Sequence, residues 1–207
     1  GLNWDGEIIS QKNRTKRYLE IVDELIQKKY AYTKDGAVWF AIPQGTIAFA
    51  DCIRGNVSFD GSDLKDFVIV RSDGSPIFYL TGVVDDHDSA ITHVIRGEEW
   101  LPSMPLHILL YESLGIAETR PCFSHLPLIL KPEGKGKLSK RDGDKMGFPV
   151  FPLLWKDPET GDISRGYRED GYFPEAFINM LALLGWSPGT EQEFFSIEEL
   201  IDSFDLS

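Results

Sequence analysis

Residues 136–143 read Gly136-Lys137-Leu138-Ser139-Lys140-Arg141-Asp142-Gly143, three cations and a hydroxyl set between glycines. Glycine reaches backbone conformations closed to other residues, so such a loop can fold over a ligand, and ammonium groups there offset the charge that grows on departing phosphate oxygens. The chemistry that suits it is leaving-group stabilisation on a polyphosphate. The spacing is not the Gly-x-x-x-x-Gly-Lys-Ser/Thr of the nucleotide-cradling P-loop, and a solvated basic turn is the competing reading.

A second group is Val83-Val84-Asp85-Asp86-His87, followed by Ile91-Thr92-His93-Val94-Ile95-Arg96-Gly97-Glu98-Glu99-Trp100. Both read as strand-like apolar runs ending in polar groups, which sets carboxylates, an imidazole and a guanidinium on a sheet edge. A metal at Asp85, Asp86 and His87 lacks a further ligand at diagnostic spacing, so helix capping and ion pairing compete with it. Arg96, at the end of a buried strand, suits a carboxylate gripped by two parallel hydrogen bonds, which points to an anionic substrate. Trp100 reads either as a stacking platform for a flat base or as a partly buried packing residue, and His107 and His125 read as structural.

Both groups need a scaffold. Over residues 14–29 the apolar positions Tyr18, Leu19, Val22, Leu25 and Ile26 predict one helix face. Residues 37–94 are β-rich, with runs Ala37-Val38-Trp39-Phe40, Thr46-Ile47-Ala48-Phe49, Phe67-Val68-Ile69-Val70 and Phe78-Tyr79-Leu80, punctuated by Asp-Gly turns at 35–36, 60–61 and 73–74. A helix is predicted over 105–114, with Pro105 in its first turn and Gly115 to stop it, then a strand over 126–130 leading into the basic loop. A further helix over 174–184 presents Phe177, Met180, Leu181 and Leu184 and closes at Gly185, and Ser196-Ile197-Glu198-Glu199 has the form of a capping box. Residues 161–171 read as an exposed connection between a sheet-bearing part and a helical tail. Strands mixed with helices predict an α/β fold, in which ligands sit beyond strand ends.

With 207 residues, of which 42% are hydrophobic and 26% charged, the chain can bury a sizeable core. A net charge of −12 excludes a protein that holds nucleic acid by overall electrostatics. Any such contact is local: residues 131–145 carry six cations against three carboxylates, +3, leaving −15 for the rest. Cys52 and Cys122 are far apart and without metal-ligand spacing, so reduced thiols are expected. No apolar run approaches a membrane span and residues 1–6 have no signal architecture, which predicts a soluble cytoplasmic protein with no membrane partner. The absent initiator Met and the acidic-apolar pattern broken off at Ser207 suggest a fragment.

Lys137-Leu138-Ser139-Lys140-Arg141 resembles the KMSKS signature of class I aminoacyl-tRNA synthetases. The stretch from Val84 to Trp100, with Pro105-Leu106-His107 and Leu109-Leu110-Tyr111 beyond it, resembles bacterial glutamyl-tRNA synthetases, as do Gly171-Tyr172-Phe173-Pro174-Glu175-Ala176 and Leu183-Leu184-Gly185-Trp186. The likeness runs from Trp4 to Phe204. It implies the second half of a Rossmann-like nucleotide-binding domain with a β-rich connecting insertion over 1–130, a KMSKS-type loop over 131–147, and the start of a helical stem-contact domain over 148–207.

The resemblance also implies ligation of L-glutamate to tRNA(Glu) through a glutamyl-adenylate, with AMP and pyrophosphate released. ATP, with Mg2+ as its counterion, is then the cosubstrate, no protein-bound metal is required, and the protein is a monomer. Lys140 would stabilise the phosphates as the adenylate forms, with Lys137 as a second catalytic lysine. Leu138, Ser139 and Arg141 would hold the loop against ATP, Glu99 and Ile129 would border the nucleotide, and Arg96 would bind glutamate. Phe78 and Gly82 fall in the glutamate pocket, where the family usually has tyrosine and often asparagine, so hydrogen bonds to substrate are altered there. The resemblance further implies a central fragment, without the HIGH-containing N-terminal part and the anticodon-binding domain and inactive alone, because both halves must orient ATP. Stretches near 6–11 and 32–33 are shorter than in the family. A tRNA-modifying glutamyl-transferring paralogue and a non-catalytic RNA-binding module that kept the fold are the alternatives.

Overall fold

The computed structural model describes residues 6–132 and 136–205. Its internal contacts divide the chain into two compact units, Gly1–His125 and Leu126–Ser207.

The first unit opens with α1, Thr15–Gln27, which buries Tyr18, Ile21, Val22 and Leu25. These positions recur every three to four residues, so one stripe faces the core. The stripe is rotated from the sequence expectation: Ile21 is inside and Leu19 is 39% exposed. Two antiparallel strands follow, β1 (Ala31–Lys34) and β2 (Ala37–Phe40), joined at Asp35 and Gly36. Both turn residues have positive φ, 52° and 77°, the conformation whose twist matches flanking strands. Strands β3 (Thr46–Asp51) and β4 (Gly55–Asp60) form a second hairpin, and β5 (Phe67–Val70) pairs with β2.

The run at Phe78-Tyr79-Leu80 is not a strand. It begins α2, Phe78–Asp88, whose buried residues Leu80, Thr81, Val83 and Val84 lie on one helical face. An apolar, aromatic and β-branched run fits a strand or a buried helix equally, and here length and packing decide for the helix. Asp85, Asp86 and His87 consequently sit on its last turns instead of a sheet edge. Then come β6 (His93–Gly97), α3 (Met104–Ser113) and β7 (Cys122–Leu126). Gly115, at φ 73°, ends α3 as its position in the sequence predicts.

The strand expected over 126–130 lies four residues earlier, because Pro127 has no N–H to offer a ladder. Sheet order β4-β3-β7-β6 leaves β6 at an edge, so the strand carrying Arg96 is not the fully buried one that its apolar run implies. The core is Leu25, Phe40, Ile69, Leu80, Val83, Met104, Ile108, Leu110 and their neighbours.

In the second unit, α4 (Lys140–Met146) follows the lysine-rich segment, β8 (Trp155–Lys156) and β9 (Ile163–Ser164) form a short hairpin, and α5 (Pro174–Leu183) and α6 (Ile197–Ser203) complete it. The hairpin occupies part of the 161–171 stretch read as a bare connection. Ser196 and Glu199 satisfy each other's backbone donors at the start of α6, as the capping-box pattern requires. The expected apolar face of α5 is open: Met180, Leu181 and Leu184 are 39%, 49% and 45% exposed.

Leu25 is fully buried. Leu25→Ala is expected to cost about 2–5 kcal/mol of unfolding free energy. Leu19→Ala, on the outward side of the same helix, should stay within about 0.5 kcal/mol. Urea denaturation of both variants distinguishes this face assignment from the one read in the sequence.

Candidate active site

In the first unit Arg96 stands near the end of edge strand β6, half-buried. Its Nε donates to His125 Nε2 at 3.2 Å and its Nη2 to Met104 Sδ at 2.9 Å. The guanidinium carbon lies 5.4 Å from the Trp100 ring and 5.9 Å from that of Phe123. Such faces are favourable for a partly desolvated cation. Burial lowers the Arg96 pKa and the nearby Asp86 charge opposes that shift. Among the described residues Arg96 forms no ion pair within 4 Å.

Asp86 is the counterpart. Burial, and then repulsion from Asp85, push its carboxyl up to about 6, against the pull of Arg96. Asp85 is tied instead to α1, accepting from Tyr18 Oη at 2.8 Å and meeting Arg14 Nε at 2.9 Å, while His87 Nδ1 lies 2.8 Å from Thr119 Oγ1. The three neighbours therefore have separate partners, and among the described residues no three His, Cys, Asp or Glu side chains converge to hold a metal ion.

Phe78 and Trp100 form an open aromatic shelf beside Arg96, with ring centroids 5.2 Å apart and side chains 50% and 39% exposed. His107 closes its inner side, 6.1 Å from Phe78 and 5.6 Å from Tyr79. Burial lowers the His107 pKa to about 4, the Ser103 carbonyl opposing and the charge of Arg96 assisting, so this ring is uncharged at neutral pH. Gly82 is one helical turn beyond Phe78, and a Cβ there would touch that ring at 3.8 Å, an ordinary contact. Glu99 folds back over Gly97, where a Cβ would fall 1.9 Å from its carboxylate oxygen. Glycine at 97 is thus what lets Glu99 take this position. Glu98 pairs with Arg54.

In the second unit residues 129–131 pair antiparallel with residues 136–138, which lead into a helix. Leu138 N–H donates to Ile129 O at 2.7 Å and Lys131 N–H to Gly136 O at 3.1 Å, which brings Ile129 and Leu138 side by side. Gly136, at φ 121°, takes a conformation that other residues avoid. Ser139 then caps α4: its N–H and Oγ donate to Asp142 Oδ2 at 2.8 and 2.6 Å, and Lys131 Nζ donates to Asp142 Oδ1 at 2.8 Å. The Lys131 bond, followed by the Ser139 bonds, holds the Asp142 carboxyl well below the usual range. The backbones of Lys140 and Arg141 form the first turn of α4, and their side chains lie outside the described atoms. Lys137 is exposed and bridges to Leu130.

The structure thus gathers Arg96, Phe78, Gly82 and Glu99 in the first unit and Ile129, Lys137, Leu138 and Ser139 in the second. Sequence reading overlooked Asp51 and took His125 as merely structural. Asp51 Oδ2 lies 2.6 Å from His125 Nδ1, with both side chains fully buried. A signal for it existed: Asp51 is in phase with Ile47 and Phe49 on the core face of β3, and a carboxylate there requires a buried partner.

An α/β sheet with a cationic strand end and a lysine-bearing loop opening a helix is the arrangement of a class I tRNA synthetase catalytic domain. The family described as tRNA synthetases class I (E and Q), catalytic domain, matches residues 34–207, and the chain belongs to it. It is 56% identical over 196 residues to a glutamate–tRNA ligase of Christiangramia forsetii, and 54% identical over 200 residues to one of Phocaeicola vulgatus. These matches cover 94% and 96% of this chain but 38% and 39% of those proteins, so the chain spans about two fifths of their length. The crystal structure of a glutamate tRNA ligase from Elizabethkingia meningosepticum, in complex with its amino acid, matches with a TM-score of 0.77 at 55% identity, over 90% of this chain and 36% of that one.

The raised Asp86 pKa has a stability consequence. Below the unfolded carboxyl value of about 4 both states are protonated and nothing is lost. As pH rises to about 6 and beyond, the folded state is penalised by a charge it disfavours. Asp86→Asn should therefore raise the melting temperature at pH 8 and have a smaller effect at pH 4. A difference independent of pH, measured by thermal denaturation, contradicts this assignment.

Proposed function

We propose that this chain is the central catalytic part of a glutamate–tRNA ligase, which joins L-glutamate to ATP as a glutamyl-adenylate and transfers it to tRNA(Glu), releasing pyrophosphate and AMP. The observation that carries this reading is the half-buried Arg96 guanidinium, held at an aromatic shelf without an ion pair among the described residues. A partly desolvated cation whose nearest described carboxylate stays beyond ion-pair distance suits a carboxylate substrate. The names of the similar proteins supply the amino acid.

In this proposal Arg96 grips glutamate, and Phe78 and Gly82 border it with an apolar face and open space where a hydroxyl and an amide would otherwise bind. ATP, carried with Mg2+, is the cosubstrate, and Ile129 and residues 137–141 of the second unit are its proposed contacts. Lys140 and Lys137 offset charge on the phosphates, and the capping of α4 by Ser139 fixes where Lys140 leaves the backbone. Only contacts that strengthen in the transition state speed the step, so Lys140 acts on rate more than on ground-state binding. Residues 131–147 carry the KMSKS-type segment and 148–207 begin a stem-contact region. The protein works as a monomer in the cytoplasm; among the described residues no helix is long and apolar enough to cross a membrane.

In the full-length gene product, Lys140→Ala is expected to slow glutamate-dependent pyrophosphate exchange by about 100-fold or more while leaving glutamate affinity nearly unchanged. Equal exchange rates in variant and parent would remove Lys140 from this role. Arg96→Lys, which loses the planar fork, should weaken glutamate binding by about tenfold or more. Unchanged affinity by calorimetry would count against Arg96 as the carboxylate receptor.

A further inference from the structure

We infer that Asp51 and His125 are positioning residues for Arg96, clamping one edge of its guanidinium so that only the opposite, Nη1/Nη2 end is presented to a carboxylate. The inference rests on the reading of Arg96 as the glutamate receptor and specifies the geometry of that contact.

The clamp follows from what each atom can do. Arginine nitrogens only donate, so at the 3.2 Å Arg96 Nε contact His125 Nε2 must be the acceptor and carries no proton. The ring proton then belongs on Nδ1, 2.6 Å from Asp51 Oδ2, where it is donated to the carboxylate. Asp51 is itself held in place, since its Oδ1 accepts from the N–H groups of Ile53 at 3.0 Å and Arg54 at 2.9 Å. Burial alone would push the Asp51 carboxyl up, but the His125 bond and these backbone bonds together keep it low. The pair is rooted in the sheet, because Asp51 and Phe123 are partners in the parallel β3–β7 ladder. On the same edge of the guanidinium Nη2 donates to Met104 Sδ, a fully buried residue.

The Nε/Nη2 edge is therefore occupied, and a carboxylate can form two parallel bonds only across the Nη1/Nη2 end. Two neighbouring inner strands thus set the angle at which the acid arrives. An arginine free to rotate would offer either edge and would admit its ligand in more than one orientation.

Asp51→Asn tests this nearly isosterically. The two backbone N–H groups require an oxygen at the Oδ1 position, so the new amide faces His125 Nδ1 and donates to it. The ring must then carry its proton on Nε2, aimed at the Arg96 Nε–H. In the full-length gene product, Asp51→Asn and His125→Leu are expected to raise the glutamate dissociation constant by about tenfold while leaving the KM for ATP within about twofold. His125→Gln, whose amide oxygen can stand in for Nε2, should recover part of the loss. Folded variants with unchanged glutamate affinity overturn the clamp. So does a parallel rise in both substrate constants, which marks general damage.

An Arg96→Lys control separates the two levels. If that variant binds glutamate as the parent does, the receptor reading fails, and the clamp is then judged on the nitrogen-15 shifts of His125 alone. An Nδ1-protonated ring in the parent that becomes Nε2-protonated in Asp51→Asn supports it; an Nε2-protonated ring in the parent overturns it.

Discussion

A carboxylate and an imidazole, both withdrawn from water, join the two central strands of the four-stranded sheet in the first unit. Asp51 ends β3 and His125 lies near the end of β7, and the two strands run parallel with Asp51 opposite Phe123. Burying such groups is tolerated only when their hydrogen-bonding capacity is met, and here Asp51 receives the His125 ring and backbone N–H groups from both strands' ends. Arg54 leaves the turn that Asp51 caps, donates to the His125 carbonyl and pairs with Glu98, while Arg96 rests against the far side of the same imidazole. Parallel pairing, side-chain charge and the cationic strand end are one connected structure.

The legible parts of the fold were those governed by local chemistry. The Asp35-Gly36 turn, the stop of α3 at Gly115 and the Ser196–Glu199 cap each involve residues a few positions apart whose backbone demands are fixed by type. The misread parts depend on distant packing. Phe78-Tyr79-Leu80 has strand composition, and only the surroundings of Leu80 and Val84 make it a helix. The displacement of β7 was available in principle, since Pro127 forbids a ladder beyond Leu126, but an apolar run outweighed one missing donor. In α1 the expected and observed stripes share Tyr18, Val22 and Leu25 and differ in whether Leu19 or Ile21 joins them, and hydrophobicity alone does not choose between the two.

The candidate site divides along the same line. Arg96 was found because a guanidinium within an apolar run is conspicuous, and the family resemblance was carried by contiguous motifs. The clamp behind Arg96 joins positions 51, 96, 104 and 125, which no spacing rule connects. Likewise the pairing of Ile129 with Leu138 joins residues nine positions apart that no spacing rule connects.

Asp142 gathers Lys131, from the first of the paired segments, and Ser139, from the threshold of α4, onto one carboxylate. A displacement of this segment that conserves those three bonds carries the paired backbones of 129–131 and 136–138 and the first helical turn together. Its pivot must then lie outside them, in the residues before Ile129 or after Gly147.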